Sequence, residues 1–241
     1  MTNRKNNLSK RIVLTADKAV MPMEKLIHRV FFLILTATLL MATVCHGATV
    51  MTMTTTSDKV RVLMAGSGAV TIDYGDGTIK KGTLSDDYNK IDVDDDVYNH
   101  TYSGMGTRTI AITGENITIL NCKDNQLTSL DVSKNTTLKF LFCEGNQLTN
   151  LDVSKNIALA YLICLNNQLT SLDVGKNTEM TILVCESNQF TGSTLNALFE
   201  TLHSGSAVGN RGTKVVYISN NPGTNNCNRN IATNRGWTVN S

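Results

Sequence analysis

Proline is nearly missing from this 241-residue chain, which holds two, and histidine and tryptophan are scarce at four and one. So little proline excludes a polyproline linker or a collagen-like rod. Lysine and arginine form no clustered stripe, which argues against a nucleic-acid partner. Six cysteines occur without one C-x-x-C pair, so the usual spacing of a zinc site is absent. No apolar run reaches the roughly 20 residues that a helix needs to cross a bilayer.

What the N-terminus does have is VFFLILTATLLMATV, Val30 to Val44, preceded by Lys25, His28 and Arg29 and followed by the small Gly47 and Ala48. That is the layout of a secretory signal peptide, so residues 1–48 are expected to be a leader cleaved near Gly47 or Ala48. Met21 or Met23 would be a more ordinary start for it. The alternative, a lipid on Cys45, is disfavoured by the bulk of Val44 just before that cysteine. The protein is therefore expected to be exported, to the cell surface, the medium or the periplasm. Membrane contact would come only through the signal peptide or that lipid. Without the leader the charge changes sign: residues 1–48 carry seven of the 22 bases and two of the 20 acids, leaving 15 against 18, a net of −3.

The rest of the chain repeats itself. ITILNCKDNQLTSLDVSKN, LKFLFCEGNQLTNLDVSKN and LAYLICLNNQLTSLDVGKN follow one another at 21-residue intervals, with Cys122, Cys143 and Cys164 in register and Cys185 in a fourth, partial copy. A fixed period of this size marks a solenoid. In each copy Leu and Cys alternate with outward residues, as Leu141 and Cys143 do with Phe140 and Phe142, which predicts a short strand with one face inward. Asn146 supplies an amide to the following turn. Leu148, Leu151 and Val153 complete the interior, and 21 residues per coil leave no room for a full helix. A single coil is unstable, because burying five or six side chains gains at most about 1.5 to 3 kcal/mol each against about 1 to 2 kcal/mol per ordered residue. Stacking must cover both sides of each coil, and the ends need caps.

The copies fit L-x-x-L-x-C-x-x-N-x-L-T-x-L-D-V-S-x-N, which resembles the short bacterial class of leucine-rich repeats over residues 117–190, with Cys in the third leucine position. The resemblance implies a parallel strand ladder with a concave face. The C-terminal residues 192–241 are expected to form an α/β cap. In it, STLNALFETLHSG is a helix with Ser193 as N-cap, and KVVYISNNPG is a degenerate last repeat with Ile218 and Asn221 in the Cys and Asn positions. A short helix and Trp237 would close the stack. Ahead of the repeats, residues 49–115 alternate with period two through Val60, Val62, Met64, Val70, Ile72, Tyr74, Ile110 and Ile112, as in a small antiparallel sandwich. VTIDYGDGT and NHTYSGMGTRTIAITG are similar to the PKD domain, an immunoglobulin-like sandwich, although Tyr74 stands where an aromatic Trp or Phe is usual. The expected fold class is thus mainly β: a small PKD-like sandwich, a leucine-rich-repeat solenoid over 116–191, and a cap.

Chemistry finds few footholds. Equivalent residues on stacked coils lie about 4.8 Å apart, so four cysteines span about 14 Å, too far for one tetrahedral ion. Disulfides between neighbours would need Cβ atoms closer than the stacking allows, leaving core packing as the role of the ladder. Asp131, Asp152 and Asp173 repeat once per coil and are expected to bond loop amides, with Lys134, Lys155 and Lys176 nearby. The acids at Asp92, Asp94, Asp95 and Asp96 lack the glycine and distal glutamate of an EF-hand and are expected to be a solvated loop. His100 and His203 stand outside any nucleophile or metal motif. The expectation is a protein that is not an enzyme and that has no cofactor or metal. The candidate partner-binding residues line the concave face: Phe140, Phe142, Tyr161, Ile163, Leu165, Ile182 and Val184, rimmed by Glu144 and Glu186. Resemblance to repeat-bearing surface proteins implies adhesion or capture of a protein on a host or neighbouring cell. A glycan ligand or a purely structural spacer is the alternative.

Overall fold

The computed structural model describes residues 49–86, 98–205 and 213–241. The expected leader, Cys45 and the acidic run from Asp92 to Asp96 lie outside the described residues. The strands are β1 Thr49–Thr55, β2 Lys59–Asp73, β3 Ile79–Leu84, β4 Tyr98–Thr101, β5 Arg108–Asn121, β6 Leu127–Asp131, β7 Phe140–Phe142, β8 Tyr161–Ile163, β9 Ile182–Val184, β10 Lys214–Tyr217 and β11 Trp237–Asn240; the helices are α1 Gly192–Thr201 and α2 Asn230–Thr233.

One sheet runs through both halves of the sequence pattern in the order β11-β10-β9-β8-β7-β5-β1-β6, with β2 pairing β3, β4 and β5 beside it. From β5 onward through β7, β8, β9, β10 and β11 the pairing is parallel. The N-terminal strands pair antiparallel. Its period-two residues point inward as expected: Val60, Val62, Val70, Ile72, Tyr74, Ile110 and Ile112 are all at most 2% exposed.

β5 belongs to both halves. Its first part, Arg108 to Gly114, pairs with β1; its last three residues, Ile119 to Asn121, pair with β7 as the first strand of the coil ladder. On the other side of those three lies Leu63 to Ala65 of β2. An antiparallel strand therefore covers what would be the open N-terminal edge of the solenoid, a device that removes unpaired backbone from a sheet edge. β2 must pass very close to β5 there. Gly66 has φ 148°, and a Cβ on it would sit 1.8 Å from the Asn116 carbonyl oxygen, so glycine is required by both conformation and space.

Inside the coils the cysteine ladder is a packing element. Cys122, Cys143, Cys164 and Cys185 are free, and all four are 0% exposed. The Cys122, Cys164 and Cys185 thiols each lie 3.4 to 3.6 Å from a carbonyl oxygen on the next coil, at Phe142, Val184 and Tyr217. Ile218 continues the row at 0% exposure. Two asparagine ladders run beside it. Asn146, Asn167, Asn188 and Asn221 donate through Nδ2 to the carbonyl of the Cys-row residue in their own coil and to that in the preceding one. The second ladder, Asn135, Asn156 and Asn177, ends the L-D-V-S-x-N half of the repeat. Asn156 donates to Val132 O and Asn135 O, and Asn177 to Val153 O and Asn156 O, at 2.7 to 2.9 Å. Each buried amide satisfies backbone carbonyls that have no sheet or helix partner, which is the main condition for burying a turn.

At the C-terminal end, α1 packs Leu195, Leu198 and Phe199 inward. Its N-cap is Thr191 rather than the expected Ser193, in a capping box with Thr194. The reason is one of reach: Thr191 precedes the first helical turn with extended φ and ψ, whereas Ser193 already lies within the helix. β10 carries the last Asn turn, and Trp237 plugs the end at 2% exposure with its indole N–H donated to His203 O. Lys214 fastens this cap by donating to the carbonyls of His203, Gly205 and Arg235 at 2.7 to 3.0 Å.

Candidate functional site

Strand alternation gives the coil sheet a second face. Leu141, Leu162 and Leu183 enter the continuous core, so the residues on either side of each point the opposite way. The register makes two rows of them: Ile119, Phe140, Tyr161, Ile182 and Val215, then Asn121, Phe142, Ile163, Val184 and Tyr217. Six of the seven sequence-predicted contact residues thus fall in two adjacent rows, and the seventh, Leu165, follows two positions on in its coil. Phe140 and Tyr161 stack with ring centroids 4.9 Å apart and planes 21° from parallel.

Access across the face is uneven. The middle of the second row is closed, with Phe142, Ile163 and Val184 at 1%, 2% and 0% exposure, and Phe140 is 7% exposed. Tyr161 and Ile182 on one side and Leu165 on the other are half-buried. These three are the members of the set that keep partial access to solvent.

Next to Leu165 in the ladder stand Glu144 and Glu186, at the same position of the coils before and after it. They are not a solvated rim. Glu144 is 8% exposed and Glu186 9%, and in each the Oε2 atom is buried without a hydrogen-bond partner. Loss of solvent raises the Glu144 carboxyl above the ordinary carboxylate range; its own backbone amide and the nearby Lys123 pull the other way. Nothing in the sequence pattern distinguishes these glutamates from surface residues, since their burial depends on the height of neighbouring side chains.

The other candidates have structural employment. His100 Nε2 is 2.7 Å from the Asp76 Oδ2, and its ring stacks on Tyr74 at 4.3 Å and meets Tyr102 edge-on. Tyr102 donates its hydroxyl to Tyr74 O. Asp76 is held down to about 2 by the Thr78 amide and the His100 hydrogen bond, and burial pushes the Tyr74 and Tyr102 phenols up to about 12. His203 Nε2 lies 2.7 Å from Met180 O. Asp131, Asp152 and Asp173 each accept from the amide two residues on, at 2.8 Å. These are the loop-amide contacts that their spacing predicts, and bonds to Ser133 and Ser154 lower the carboxyls of Asp131 and Asp152. Among the described residues, no three His, Cys, Asp or Glu side chains are placed to hold a metal ion, and no helix is long and apolar enough to cross a membrane.

Stacked strands at a 21-residue spacing, an inward Leu and Cys alternation and an Asn turn in every coil decide the architecture. The fold is leucine-rich-repeat-like. No family model matches the chain, and no curated protein does. Among solved structures it is similar to the functional domain of InlJ from Listeria monocytogenes, which includes a cysteine ladder. The two are 32% identical, with 51% of this chain and 24% of that one covered and a TM-score of 0.39. The chain thus spans about a quarter of that protein's length.

Proposed function

We propose that this protein is an exported, non-catalytic binding module that captures a protein partner on the outer, concave face of its coil ladder. The observation that carries the reading is the accessible trio Tyr161, Leu165 and Ile182, set around the buried Phe140, Phe142, Ile163 and Val184 on the side of the sheet opposite Leu141, Leu162 and Leu183. Accessible apolar side chains grouped together on one face are characteristic of interaction surfaces. The half-buried Tyr161, Leu165 and Ile182 are the first points of contact, with a large aromatic as the natural anchor.

The N-terminal strands, on the likeness of the GDG turn at Gly75 to Gly77 and of His100 to Tyr102, act as a PKD-like supporting domain. Its β2 strand closes the first coil and so joins the ladder to the N-terminal strands. The partner is a protein of a host or neighbouring cell.

The test is photo-crosslinking from position 161 on living host or neighbouring bacterial cells, paired with a Tyr161→Ser, Leu165→Ser double variant. One crosslinked protein, lost or bound at least about tenfold more weakly by the variant, supports the reading, since a lost anchor typically costs 1.4 kcal/mol or more. A variant that behaves like the parent in every adhesion assay would mean a structural spacer. Binding to a glycan array that survives the double variant would move the ligand class to carbohydrate.

A further inference from the structure

We infer that the segment bound on the outer face carries two cationic side chains, lysine or arginine, about 10 Å apart among apolar ones, and that Glu144 and Glu186 receive them. The inference rests on the outer-face reading above and specifies its partner. Both glutamates are more than nine-tenths buried, and both hold one carboxylate oxygen without a hydrogen-bond partner. Among the described residues, neither takes part in a salt bridge. A carboxylate kept from water and left unpaired is a considerable cost.

The repeat does not impose that cost. The equivalent position in the coil between them is Leu165, so the ladder accepts an apolar side chain there, and the same row holds Lys123 one coil earlier and Ser219 in the last repeat. Two acids alternate with a leucine in a row that could have been apolar throughout. Uncompensated polar groups retained at the expense of stability are characteristic of binding sites. Cations are the class that would satisfy both oxygens, and Leu165 between them meets an apolar residue of the same segment. Two coil spacings separate the acids, about 10 Å; because side chains on one face of an extended segment recur every second residue, its two cations stand four residues apart with the residue midway between them over Leu165, and in a helix they stand about seven apart.

The probe is a pair of short synthetic peptides, one of Leu and Phe with lysines four residues apart and one with glutamates in place of those lysines, titrated by fluorescence anisotropy into the purified protein at low salt. The lysine peptide is expected to bind at least tenfold more tightly. Glu144→Gln with Glu186→Gln should erase that preference, while the charge-matched control Glu115→Gln with Glu179→Gln should keep it. Preference retained in the first pair, preference lost equally in the control, or no binding of the lysine peptide overturns the inference. If Tyr161→Ser with Leu165→Ser abolishes binding of both peptides alike and charge has no effect, the face reading stands and the carboxylate inference fails. If that variant leaves peptide binding intact, the face reading itself fails. A thermal melt adds a readout independent of any peptide: the Glu144→Gln, Glu186→Gln variant should melt at a higher temperature than the parent. A lower one would make the two acids structural and overturn the inference.

Discussion

Asn125 grips Arg61 at both ends of one amide, its Nδ2 donating to the Arg61 carbonyl and its Oδ1 accepting from the Arg61 amide, each at 2.8 Å. Asn125 is the first member of the Asn row, and it has no preceding coil to bond. β2 supplies the missing backbone, so the same residue that links coil to coil elsewhere here links the coils to the N-terminal strands. Asn125→Ala should lower stability by about 1 to 3 kcal/mol, the usual cost of leaving buried backbone groups unpaired. Urea denaturation checks it, with a lower midpoint and an unchanged slope as the expected result.

Asn167→Ala should cost more than Asn125→Ala. Asn167 donates to the carbonyls of Cys143, Cys164 and Leu165 and accepts from the Leu148 amide, so its loss strands groups on two coils at once. Equal midpoints for the two variants would contradict this account of the ladder.

Alkaline pH should destabilise the protein through the cysteine row. Burial raises the thiols of Cys122, Cys143, Cys164 and Cys185, with Cys164 pushed up to about 12 from an ordinary 9.0. Above pH 9 the unfolded chain gives up thiol protons that the folded chain keeps, so unfolding becomes easier as pH rises. Tyr74 and Tyr102, both at about 12 against an ordinary 10.0, add to the same fall. Melting temperature should be level below pH 9 and decline from there toward pH 12; alanine at the four cysteines should flatten the first part of the decline. In the native protein at pH 8, a thiol reagent should label the half-buried Cys227 well before the four of the ladder.

Asp76 and His100 should set the acid response of the N-terminal strands. The Asp76 carboxyl sits at about 2 against an ordinary 3.8, so its contribution is present above pH 3.8 and lost as pH falls toward 2. An NMR titration of the Asp76 side-chain carbon should have its midpoint near 2. His100→Ala should shift that midpoint upward and speed hydrogen exchange in Tyr98–Thr101, where β4 is held by this contact and by its pairing with β2.

Thr191→Ala removes the capping box of α1. A loss of about 1 kcal/mol is expected, and Ser193→Ala should be close to neutral even though Thr191 Oγ1 and Ser193 Oγ lie 2.9 Å apart. A larger effect at Ser193 would return the cap to the residue that helix statistics favour.

Much of this was legible in the letters. A 21-residue period with Leu and Cys alternating about Phe140 to Cys143 leaves the backbone one arrangement in which every coil buries its apolar edge, and Asn146 had to be a turn residue there. Asn156 and Asn177 were harder to read. An Asn near a Ser and a Lys looks like a solvated loop until the neighbouring coil places backbone carbonyls 2.7 to 2.9 Å from its amide. The cap showed the same limit, since Thr191 and Ser193 are equally good letters and only chain direction separates them.

By itself, then, the sequence determined the coil, its inward residues and the direction in which the strands stack, because each of these follows from spacing along the chain. Tertiary structure alone decided that β2 would close the first coil, that Phe142, Ile163 and Val184 would be shut away while Tyr161, Leu165 and Ile182 stay within reach, and that Glu144 and Glu186 would lose their water. Exposure depends on what stands opposite a side chain in space, and residues far apart in the chain supply it.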